Sequence, residues 1–438
     1  MRMSTTSAQS VIVGFAGMTH LGIVSSAAVA AKGFRTVCYD PDDPTIARLT
    51  AGDIPVIEPD LDELVRTNGA RQVFTADLAR LADCDIVYIS TDVPTDDAGK
   101  SDLTGILALL DRVGGVLKSD GVLVILFQAP PGFSRALRVA PHARLHYQVE
   151  TLVFGRAVQR ALYPERTIVG CADPAAPIEP RYLAVLSSFD CPILPMRYES
   201  AELAKIAINC CLVSSISVAN TLSEICENIG ADWSEIVPSL KLDARIGPQA
   251  YLAPGLGIAG GNLERDLATV VALSERHHTD GGVVRAWIAN SKLRRNWAAR
   301  TIRSALLDAK PRAKIAVWGL AYKENTHSIK NSPSLATIAA LPEAAFIVHD
   351  PVVSADVVPH ARVVAGDDPV SMLADAEALL ILTPWPQYRA QTADSVARNM
   401  RGRIVVDPYA VLAPKAAKEA GLDHYRLGAP HHAALEKA

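Results

Sequence analysis

Hydrophobic and polar positions follow a repeated order through the first third of the chain. Residues 11–16 form a short apolar run rich in β-branched side chains, and a glycine turn and an Ala-rich segment with helical spacing follow it. Further apolar runs, each ending at an acid or at a polar or proline-rich loop, are RTVCYD (35–40), DIVYIS (85–90) and GVLVILF (121–127). Strands that alternate with helices in this way predict a parallel, doubly wound sheet.

The same pattern returns after residue 310. Its apolar runs are AKIAVWG (313–319), AAFIVHD (344–350), EALLILT (377–383) and RIVVD (403–407), and SLATIAAL (334–341) has helical spacing. Between the halves, residues 199–229 form a helical stretch that is too apolar for a lone solvent-facing helix, so we expect it to bury one face between domains and another against a second subunit. The predicted fold class is α/β, with two Rossmann-like doubly wound domains joined by a long central helix.

One segment is apolar enough to resemble a signal anchor. It is VIVGFAGMTHLGIVSSAAVAA (11–31), which contains three glycines and His20 and changes from a β-branched start to an Ala-rich end. A strand, a tight turn and a buried helix explain this change better than a membrane span does. We therefore expect no membrane association.

Composition narrows the class of protein. With 438 residues the chain is too long for one compact core, and its net charge of -4 provides no basic field to recruit nucleic acid. Seven cysteines, an odd number without CxxC spacing, argue against a disulfide framework and a zinc ribbon. We expect a cytoplasmic protein with reduced thiols and no metal site.

The turn GMTHLG, from Gly17 to Gly22, has the frame GxGxxG with Thr19 in place of the middle glycine. That frame allows the backbone at a helix N-terminus to approach a pyrophosphate. The side chain of Thr19 crowds this approach, although its hydroxyl can itself hydrogen-bond a phosphate. Asp40 ends the next predicted strand, near the offset expected of the acid that binds the adenosine ribose. A carboxylate there favours NAD over NADP, although a solvated turn acid is an open alternative for Asp40.

Several later segments resemble the UDP-glucose/GDP-mannose dehydrogenase family, in order and over almost the whole chain. VETLVFGRAV is similar to the family's PEFLxEGxAV segment, and KLDARIG is similar to GxDxRIG. The matching segments are GDIPVIEPDLDELV (52–65), FQAPPGFSRA (127–136), VETLVFGRAV (149–158), YPERTIVG (163–170), AELAKIAINCCLVSSISVANTLSEICENIGAD (201–232), KLDARIG (241–247) and VWGLAYKENTHSIKNSPS (317–334).

The resemblance implies three parts. They are an N-terminal NAD-binding Rossmann domain (1–196), a central helical dimerisation region (197–300) and a C-terminal nucleotide-sugar-binding Rossmann-like domain (301–438). It further implies a homodimer paired through the central helix, an active site in the cleft between the outer domains, and a role in polysaccharide biosynthesis. Typical members oxidise a sugar C6 alcohol to a carboxylate and transfer two hydrides in succession to two NAD molecules.

The resemblance also assigns site residues. Lys205 and Asn209 match positions that bind the developing alkoxide and an ordered water, Asp266 matches an acid that activates water, and Glu150 matches a general base, although Glu150 can also be a plain loop carboxylate. The positions implied for NAD binding are Gly17, Thr19, His20, Leu21, Gly22, Asp40, Thr95, Gln128 and Lys330. Those implied for the nucleotide sugar are Glu150, Lys205, Arg245, Gly260 and Lys323.

The family's nucleophile is missing. In the family motif GGSCFPKD the Cys lies four residues before the final Asp, and four residues before Asp266 stands Asn262. The family's thiolate adds to an aldehyde intermediate, whereas an amide nitrogen is no nucleophile because its lone pair is delocalised. Cys210 and Cys211 lie on the central helix beside Asn209 but are turned away from its face, so we expect them to pack.

Other positions also depart from the family. Phe154 stands for the second Glu of PEFLxEG, Arg265 for the Lys of FPKD and Lys330 for the Arg of DDxRES, and DPYA (407–410) replaces DGRN. Lys323 and Arg245, which match positions that contact the nucleotide sugar, are retained and support a nucleotide sugar as substrate, whereas the departures leave UDP-glucose itself open.

Four outcomes are open. In the outcome that we favour, one hydride transfer gives an aldehyde or ketone as the product. In the second, hydride returns to the opposite face of the bound carbonyl, and the protein is an epimerase. A bound hydrate can be oxidised slowly to the acid without a thiol, and a non-catalytic NAD or nucleotide-sugar binder is the fourth outcome. Asn262 itself can also be a turn former without a chemical role.

Overall fold

The structure is a computed structural model that describes residues 11–96, 101–138, 144–259 and 261–430. These residues form two compact units, the first ending at Ile208 and the second beginning at Asn209.

The first unit contains an eight-stranded sheet in the order β3-β2-β1-β4-β5-β6-β7-β8. Its strands are β1 Ile12–Ala16, β2 Arg35–Tyr39, β3 Gln72–Thr75, β4 Ile86–Ile89, β5 Val122–Ile125, β6 Arg144–Gln148, β7 Thr167–Cys171 and β8 Ile193–Arg197. The pairings are parallel except that β6 and β7 are antiparallel. The first six strands therefore have the 3-2-1-4-5-6 order of a dinucleotide-binding fold.

Helices connect these strands. They are α1 His20–Ala31, α2 Asp43–Thr50, α3 Leu61–Asn68, α4 Thr104–Val116, α5 Phe133–Ala136, α6 Ala157–Leu162, α7 Pro180–Ser187 and α8 Tyr198–Ile229. Short 3₁₀ turns lie at Gly69–Arg71 and Leu78–Asp83. Ten of the twelve residues of α1 are buried, and its alanines and glycine let it pack closely within the unit. The predicted strand, turn and helix over residues 11–31 are thus confirmed.

The second unit contains a six-stranded parallel sheet in the order β11-β10-β9-β12-β13-β14. Its strands are β9 Lys314–Trp318, β10 Ala345–His349, β11 Val363–Ala365, β12 Ala378–Ile381, β13 Ile404–Val406 and β14 Asp423–Tyr425. The order is again 3-2-1-4-5-6, so the predicted fold class, two Rossmann-like doubly wound sheets with a long central helix, is confirmed.

Two groups of helices belong to the second unit. Those before its sheet are α9 Trp233–Leu242, α10 Asn262–His277, α11 Gly282–Arg295 and α12 Trp297–Ile302, which continues into a π-helical turn at Arg303–Leu307. Those between and after its strands are α13 Pro333–Ala339, α14 Pro386–Arg389, α15 Ala393–Asn399 and α16 Pro414–Glu419, with 3₁₀ turns at Ala355–Val357 and Ser371–Leu373.

The central helix α8 runs from the first unit into the second. Its 32 residues, with a mean hydropathy of 1.5 in the most apolar stretch, are long and apolar enough to cross a membrane by length and composition. Core helices of soluble proteins meet the same criterion, and α8 carries buried Glu202 and Glu227. Glu227 accepts hydrogen bonds from Trp297 Nε1 and Gly428 N–H, both at 2.9 Å, which anchors the end of α8 within the second unit.

A buried imidazole in the first sheet makes stability depend on pH. His146 lies on β6 with its ring 5.0 Å from that of Tyr182, and its Nδ1 has no hydrogen-bond partner within the described residues. Burial lowers the pKa of His146 from 6.5 to about 4, although the Gly170 backbone and the Glu179 charge act in the opposite direction. The native state therefore keeps the imidazole neutral where the unfolded chain already binds a proton.

Replacing His146 with Phe should flatten this pH dependence. As pH falls from 6.5 towards 4, wild-type unfolding free energy should decrease through this group by up to about 1.4 kcal/mol per pH unit, because only the unfolded state takes up the proton. The variant keeps a ring against Tyr182 and lacks the titration. Urea denaturation at pH 7, 6 and 5 measures the difference, and equal slopes for both proteins would contradict the assignment.

Candidate active site

Two glycines shape the turn between β1 and α1. Gly17 has a φ of +101°, and a Cβ there would lie 2.7 Å from the Cβ of Thr91, which follows β4. A Cβ on Gly22, in the first turn of α1, would lie 1.9 Å from the carbonyl oxygen of Gly17. The turn therefore packs against its own helix and against the β4 loop so closely that only glycine fits at both positions.

Thr19 occupies the N-cap of α1, but its side chain makes no capping hydrogen bond. Its Oγ1 instead accepts from the N–H of Asp92 at 2.8 Å, which leaves the hydroxyl hydrogen for another acceptor. The Asp92 carboxylate lies 3.4 Å from the N–H of Leu21. Sequence reasoning missed Asp92, and the only signal for it was a polar residue just after a buried strand.

Three further predicted cofactor residues follow strands at the same edge of the sheet. Asp40 follows β2, Thr95 lies in the loop after β4, and Gln128 lies in the loop after β5. Because these strands are parallel, their carboxyl ends meet at one edge, where doubly wound folds bind ligands. The Asp40 carboxylate accepts from Met18 N–H at 2.7 Å and from Asp42 N–H at 3.0 Å, which fixes it beside the glycine turn.

His20, the first residue of α1, is held by a buried carboxylate. Its Nε2 lies 2.8 Å from Glu58 Oε1, and Glu58 also accepts from the N–H groups of Gly155 and Ala157 at 2.9 and 3.1 Å. Burial alone would raise the pKa of Glu58, but these hydrogen bonds outweigh it and the pKa is lowered. The ring of Phe154 lies 4.2 Å from that of His20. Glu58 was not predicted as a site residue, although its segment carried part of the family resemblance.

Another carboxylate that the sequence analysis missed ties α8 to the loop after β5. Glu202 is fully buried, and it accepts from Gly132 N–H at 2.6 Å and from Ser134 N–H at 2.7 Å. Burial raises the pKa of Glu202 more than these hydrogen bonds lower it. The loop that carries Gln128 is thus joined to the helix that carries Lys205. Glu202 lies in the α8 segment that resembles the family, but nothing in the sequence marked it as a site residue.

Lys205 and Glu150 form an ion pair in the first unit. Lys205 Nζ lies 3.4 Å from Glu150 Oε2, and only 14% and 18% of the two side chains are exposed. Glu150 Oε1 accepts a hydrogen bond from the N–H of Leu152. A partly buried ammonium beside a carboxylate can stabilise a developing alkoxide while the carboxylate takes a proton.

The second unit joins Asn209 to Asp266. Asn209 Nδ2 donates to Asp266 Oδ2 at 2.5 Å, and Asp266 is 1% exposed. Asn262, the first residue of α10, is exposed and lies one helical turn before Asp266, so the two side chains share a face. Gly261 takes the N-cap with a φ of +101°, and the predicted substrate residue Gly260 lies outside the described residues.

Cys210, next to Asn209 on α8, is not placed as a nucleophile. Burial, and then the nearby Asp266 carboxylate, raise the pKa of Cys210, which disfavours the reactive thiolate. Cys210 packs against an apolar cluster of Val213, Ile258, Leu267 and Val284. The predicted packing role is confirmed for Cys210, whereas Cys211 is exposed and does not pack as predicted.

Predicted ligand-binding cations lie in two places in the second unit. Lys323 and Lys330 share the loop between β9 and α13, and a Cβ on Gly261 would lie 3.5 Å from Lys330 Cγ. The structure therefore brings Lys330 beside the turn that precedes Asn262. Arg245 follows α9, with 89% of its side chain exposed and a two-point hydrogen bond to Asp243 at 3.0 and 2.7 Å.

Three domain models of one family match the sequence in order. The NAD binding domain of the UDP-glucose/GDP-mannose dehydrogenase family matches residues 11–183, its central domain matches 199–292, and its UDP binding domain matches 316–414. The chain belongs to this family. The family consists of NAD-dependent nucleotide-sugar dehydrogenases, so the predicted cofactor, NAD, and the predicted enzyme class, an oxidoreductase acting on a CH–OH group, are confirmed.

Individual relatives span nearly the whole chain. UDP-glucose 6-dehydrogenase from Pseudomonas aeruginosa is 29% identical over 94% of this chain and 96% of its own length. UDP-glucose 6-dehydrogenase TuaD from Bacillus subtilis is 28% identical over 94% and 92%. The structure of a UDP-glucose dehydrogenase from Pyrobaculum islandicum superposes with a TM-score of 0.85 at 25% identity, covering 98% of this chain and 100% of that one. A UDP-D-ManNAc dehydrogenase from Pyrococcus horikoshii shares the fold, with a TM-score of 0.82 at 21% identity over 95% and 99%.

The residues of this dehydrogenase-family turn fit NAD. Gly17 and Gly22 place no side chain at this turn, and the Thr19 side chain caps none of the first N–H groups of α1, of which Leu21 N–H donates to Asp92 at 3.4 Å. Such a helix N-terminus is suited to a pyrophosphate. Asp40 at the adjacent strand end is suited to the ribose hydroxyls.

Substituting Gly22 with Ala should weaken NAD binding by about tenfold or more, since the displaced turn loses more than one hydrogen bond worth about 1 kcal/mol each. The cause is the 1.9 Å approach of the new Cβ to the Gly17 carbonyl oxygen. Isothermal titration calorimetry with NAD measures the effect. Gly114→Ala in α4, where a Cβ meets nothing within 4 Å, is the matched control and should leave NAD binding unchanged. Wild-type affinity in the Gly22 variant would refute the close-packing argument.

Proposed function

We propose that this protein oxidises one CH–OH group of a nucleotide sugar by a single two-electron step and releases the aldehyde or ketone. The alcohol loses a hydride to NAD⁺ and a proton to the protein, so the balanced products are the carbonyl compound, NADH and H⁺. The observation that carries the proposal is the position of Asn262, which is exposed at the start of α10, one turn from buried Asp266. This arrangement supports a dehydrogenase site that lacks a nucleophile.

The residues proposed for the hydride step have suitable chemistry. NAD, when bound, accepts the hydride. Lys205 supplies a positive charge to the oxygen that becomes negative, and Glu150, 3.4 Å from Lys205 Nζ, takes the proton. Asn209 uses one amide hydrogen for Asp266 and keeps the second for the substrate oxygen or an ordered water.

A second oxidation through a thioester has no nucleophile in this site. The amide of Asn262 cannot add to an aldehyde, because its nitrogen lone pair is delocalised. Cys210 does not replace the missing thiol, since burial raises its pKa and its side chain packs in an apolar cluster. The aldehyde or ketone is therefore the expected product.

We propose ligand contacts for the remaining predicted residues. The NAD contacts are Gly17, Thr19, His20, Leu21, Gly22, Asp40, Thr95, Gln128 and Lys330. The nucleotide-sugar contacts are Glu150, Lys205, Arg245, Gly260 and Lys323. Support comes from the shared strand edge in the first unit and from the common loop of Lys323 and Lys330 in the second.

Turnover of a suitable nucleotide sugar should yield one NADH per sugar consumed. Purified protein is incubated with a panel of UDP-, GDP-, CDP- and TDP-sugars plus NAD, and NADH absorbance and product mass are followed. Two NADH per sugar would refute the single oxidation and indicate direct oxidation of a hydrate. A changed stereocentre without net NADH would indicate an epimerase, and a raised melting temperature without turnover would indicate a binder.

The substitution Asn262→Cys sharpens the same experiment. We expect it to leave the yield near one NADH per sugar, because Phe154 also stands where the family has a carboxylate and its ring instead contacts His20. Efficient production of two NADH by this single variant would show that the missing thiol alone limits the reaction.

We propose that the protein is a homodimer paired through α8. Val218, Leu222, Ile225 and Ile229 are 41 to 67% exposed and follow the i, i+4, i+7, i+11 spacing of one helix face. The domain limits follow this assignment, with NAD binding in 1–196, dimerisation in 197–300 and nucleotide-sugar binding in 301–438. Seven unpaired thiols are consistent with a cytoplasmic location.

Placing charges on this helix face should separate the dimer. Leu222→Glu combined with Ile225→Glu puts two carboxylates into an apolar contact, so sedimentation velocity should show a shift from dimer to monomer. Leu293→Glu changes a similarly exposed leucine on α11 outside the face and should leave the dimer intact. A monomeric wild type, or a dimeric double variant, would contradict the proposal.

A further inference from the structure

Glu264, in the first turn of α10, joins three segments of the second unit. Its Oε1 accepts from Arg295 Nη2 at 2.8 Å, and the same Nη2 donates to the Ile258 carbonyl oxygen at 2.8 Å. Its Oε2 accepts from Asn331 Nδ2. The Glu264 carboxylate thus links the end of α11 to the loop between β9 and α13, and Arg295 extends the link to the turn before Asn262.

This contact set differs from an ordinary surface ion pair. The side chains of Arg295 and Glu264 are only 21% and 27% exposed, so solvent screens the pair less than it screens an exposed one. Two charge-assisted hydrogen bonds converge on a single carboxylate from different segments. Loss of the carboxylate therefore releases both partners together.

The loop end that Glu264 holds has a restricted backbone. Asn331 has a φ of +52°, in the left-handed region that Asn tolerates better than most residues. The next residue, Ser332, donates from its Oγ to the Leu320 carbonyl oxygen at 2.7 Å, which closes the loop on the strand end after β9. The loop is therefore fixed at its base by Ser332 and at Asn331 by Glu264.

The fixed loop carries Lys323 and Lys330, and Lys330 lies along Gly261 at the N-cap of α10. We propose that Glu264 is a positioning residue that sets the affinity for the nucleotide part of the substrate by holding this loop against the turn before Asn262. This inference rests on the proposed function, in which Lys323 binds the nucleotide sugar. Glu264 acts through the loop and touches no reacting atom.

A second ion pair between the same helices provides a matched comparison. Glu275 on α10 pairs with Arg285 on α11 at 2.9 Å, with 64% and 48% of the side chains exposed. It links the two helices without reaching the loop. If Glu264 only fastened α10 to α11, removal of either carboxylate would have the same kind of effect.

The test is the affinity for UDP, measured by isothermal titration calorimetry at a temperature where every variant is folded. Glu264→Ala and Asn331→Gly should each weaken UDP binding by about fivefold, in the range of coupled contacts. Glycine at 331 keeps the left-handed backbone while it removes the amide donor. The double variant should bind no more weakly than the weaker single variant, since both changes break one link, and Glu275→Ala should bind as the wild type does.

Several outcomes would overturn the proposal. Unchanged UDP affinity in Asn331→Gly, or additive losses in the double variant, would show that the link does not set affinity. An equal loss in Glu275→Ala would reduce Glu264 to a helix fastener. Wild-type protein that binds neither UDP nor any nucleotide sugar of the panel would overturn the proposed substrate class as well, which separates the two failures.

Discussion

The buried hydrogen bond between Asn209 and Asp266 fixes the frame of the candidate site in the second unit. A carboxylate that is 1% exposed is costly to bury without hydrogen-bond partners, so its orientation is set by the amide at 2.5 Å. This bond joins α8 to α10 and determines where the first turn of α10 lies. The position of residue 262 therefore follows from Asp266, whatever side chain residue 262 carries.

Because Asp266 sets the frame, the residue at position 262 can change without loss of the fold. Asp266 and Arg265 are buried, whereas Asn262 on the same turn is exposed. Substitution at an exposed helix start changes stability by a few tenths of a kcal/mol, while loss of the buried carboxylate would leave Asn209 without its partner. Position 262 is thus the least constrained part of the candidate site.

The sequence predicted the elements that local hydrophobic patterns determine, but it did not predict the hydrogen bonds that depend on contacts between distant segments. The strand, turn and helix around Gly17 follow from hydrophobic spacing and one glycine motif, and the structure confirms them. Glu58, Glu202 and Glu264 accept hydrogen bonds from residues 31 to 99 positions away, so neither periodicity nor the motifs around them indicated these contacts. Exposed Cys211, predicted to pack, differs from partly buried Cys210 because packing depends on which faces of the helix are covered.

The two sheets have the same turn after their first strand, but the acids beside the two turns differ in how many of their hydrogen-bond acceptor sites are occupied. Gly17 and Gly319 both have a positive φ after the first strand, and each donates its N–H at 2.8 Å to the residue that ends the second strand. The acids that follow these residues, Asp40 and Asp350, differ in the number of hydrogen bonds that they accept. Asp40 accepts two backbone N–H groups, whereas Asp350 accepts five donors, from Leu320, Ala321, Val352, Val353 and the Trp385 indole.

A carboxylate has about four acceptor sites, so Asp350 has none left for a ribose while Asp40 keeps about two. The same strand order therefore leaves an acid with acceptor sites to spare in the first unit and a fully hydrogen-bonded acid in the second. This difference matches the family models, which assign NAD to the first domain and UDP to the last. The shared strand order places an acid at the same point in both sheets. The number of protein donors to that carboxylate then determines whether it has acceptor sites left for a ribose.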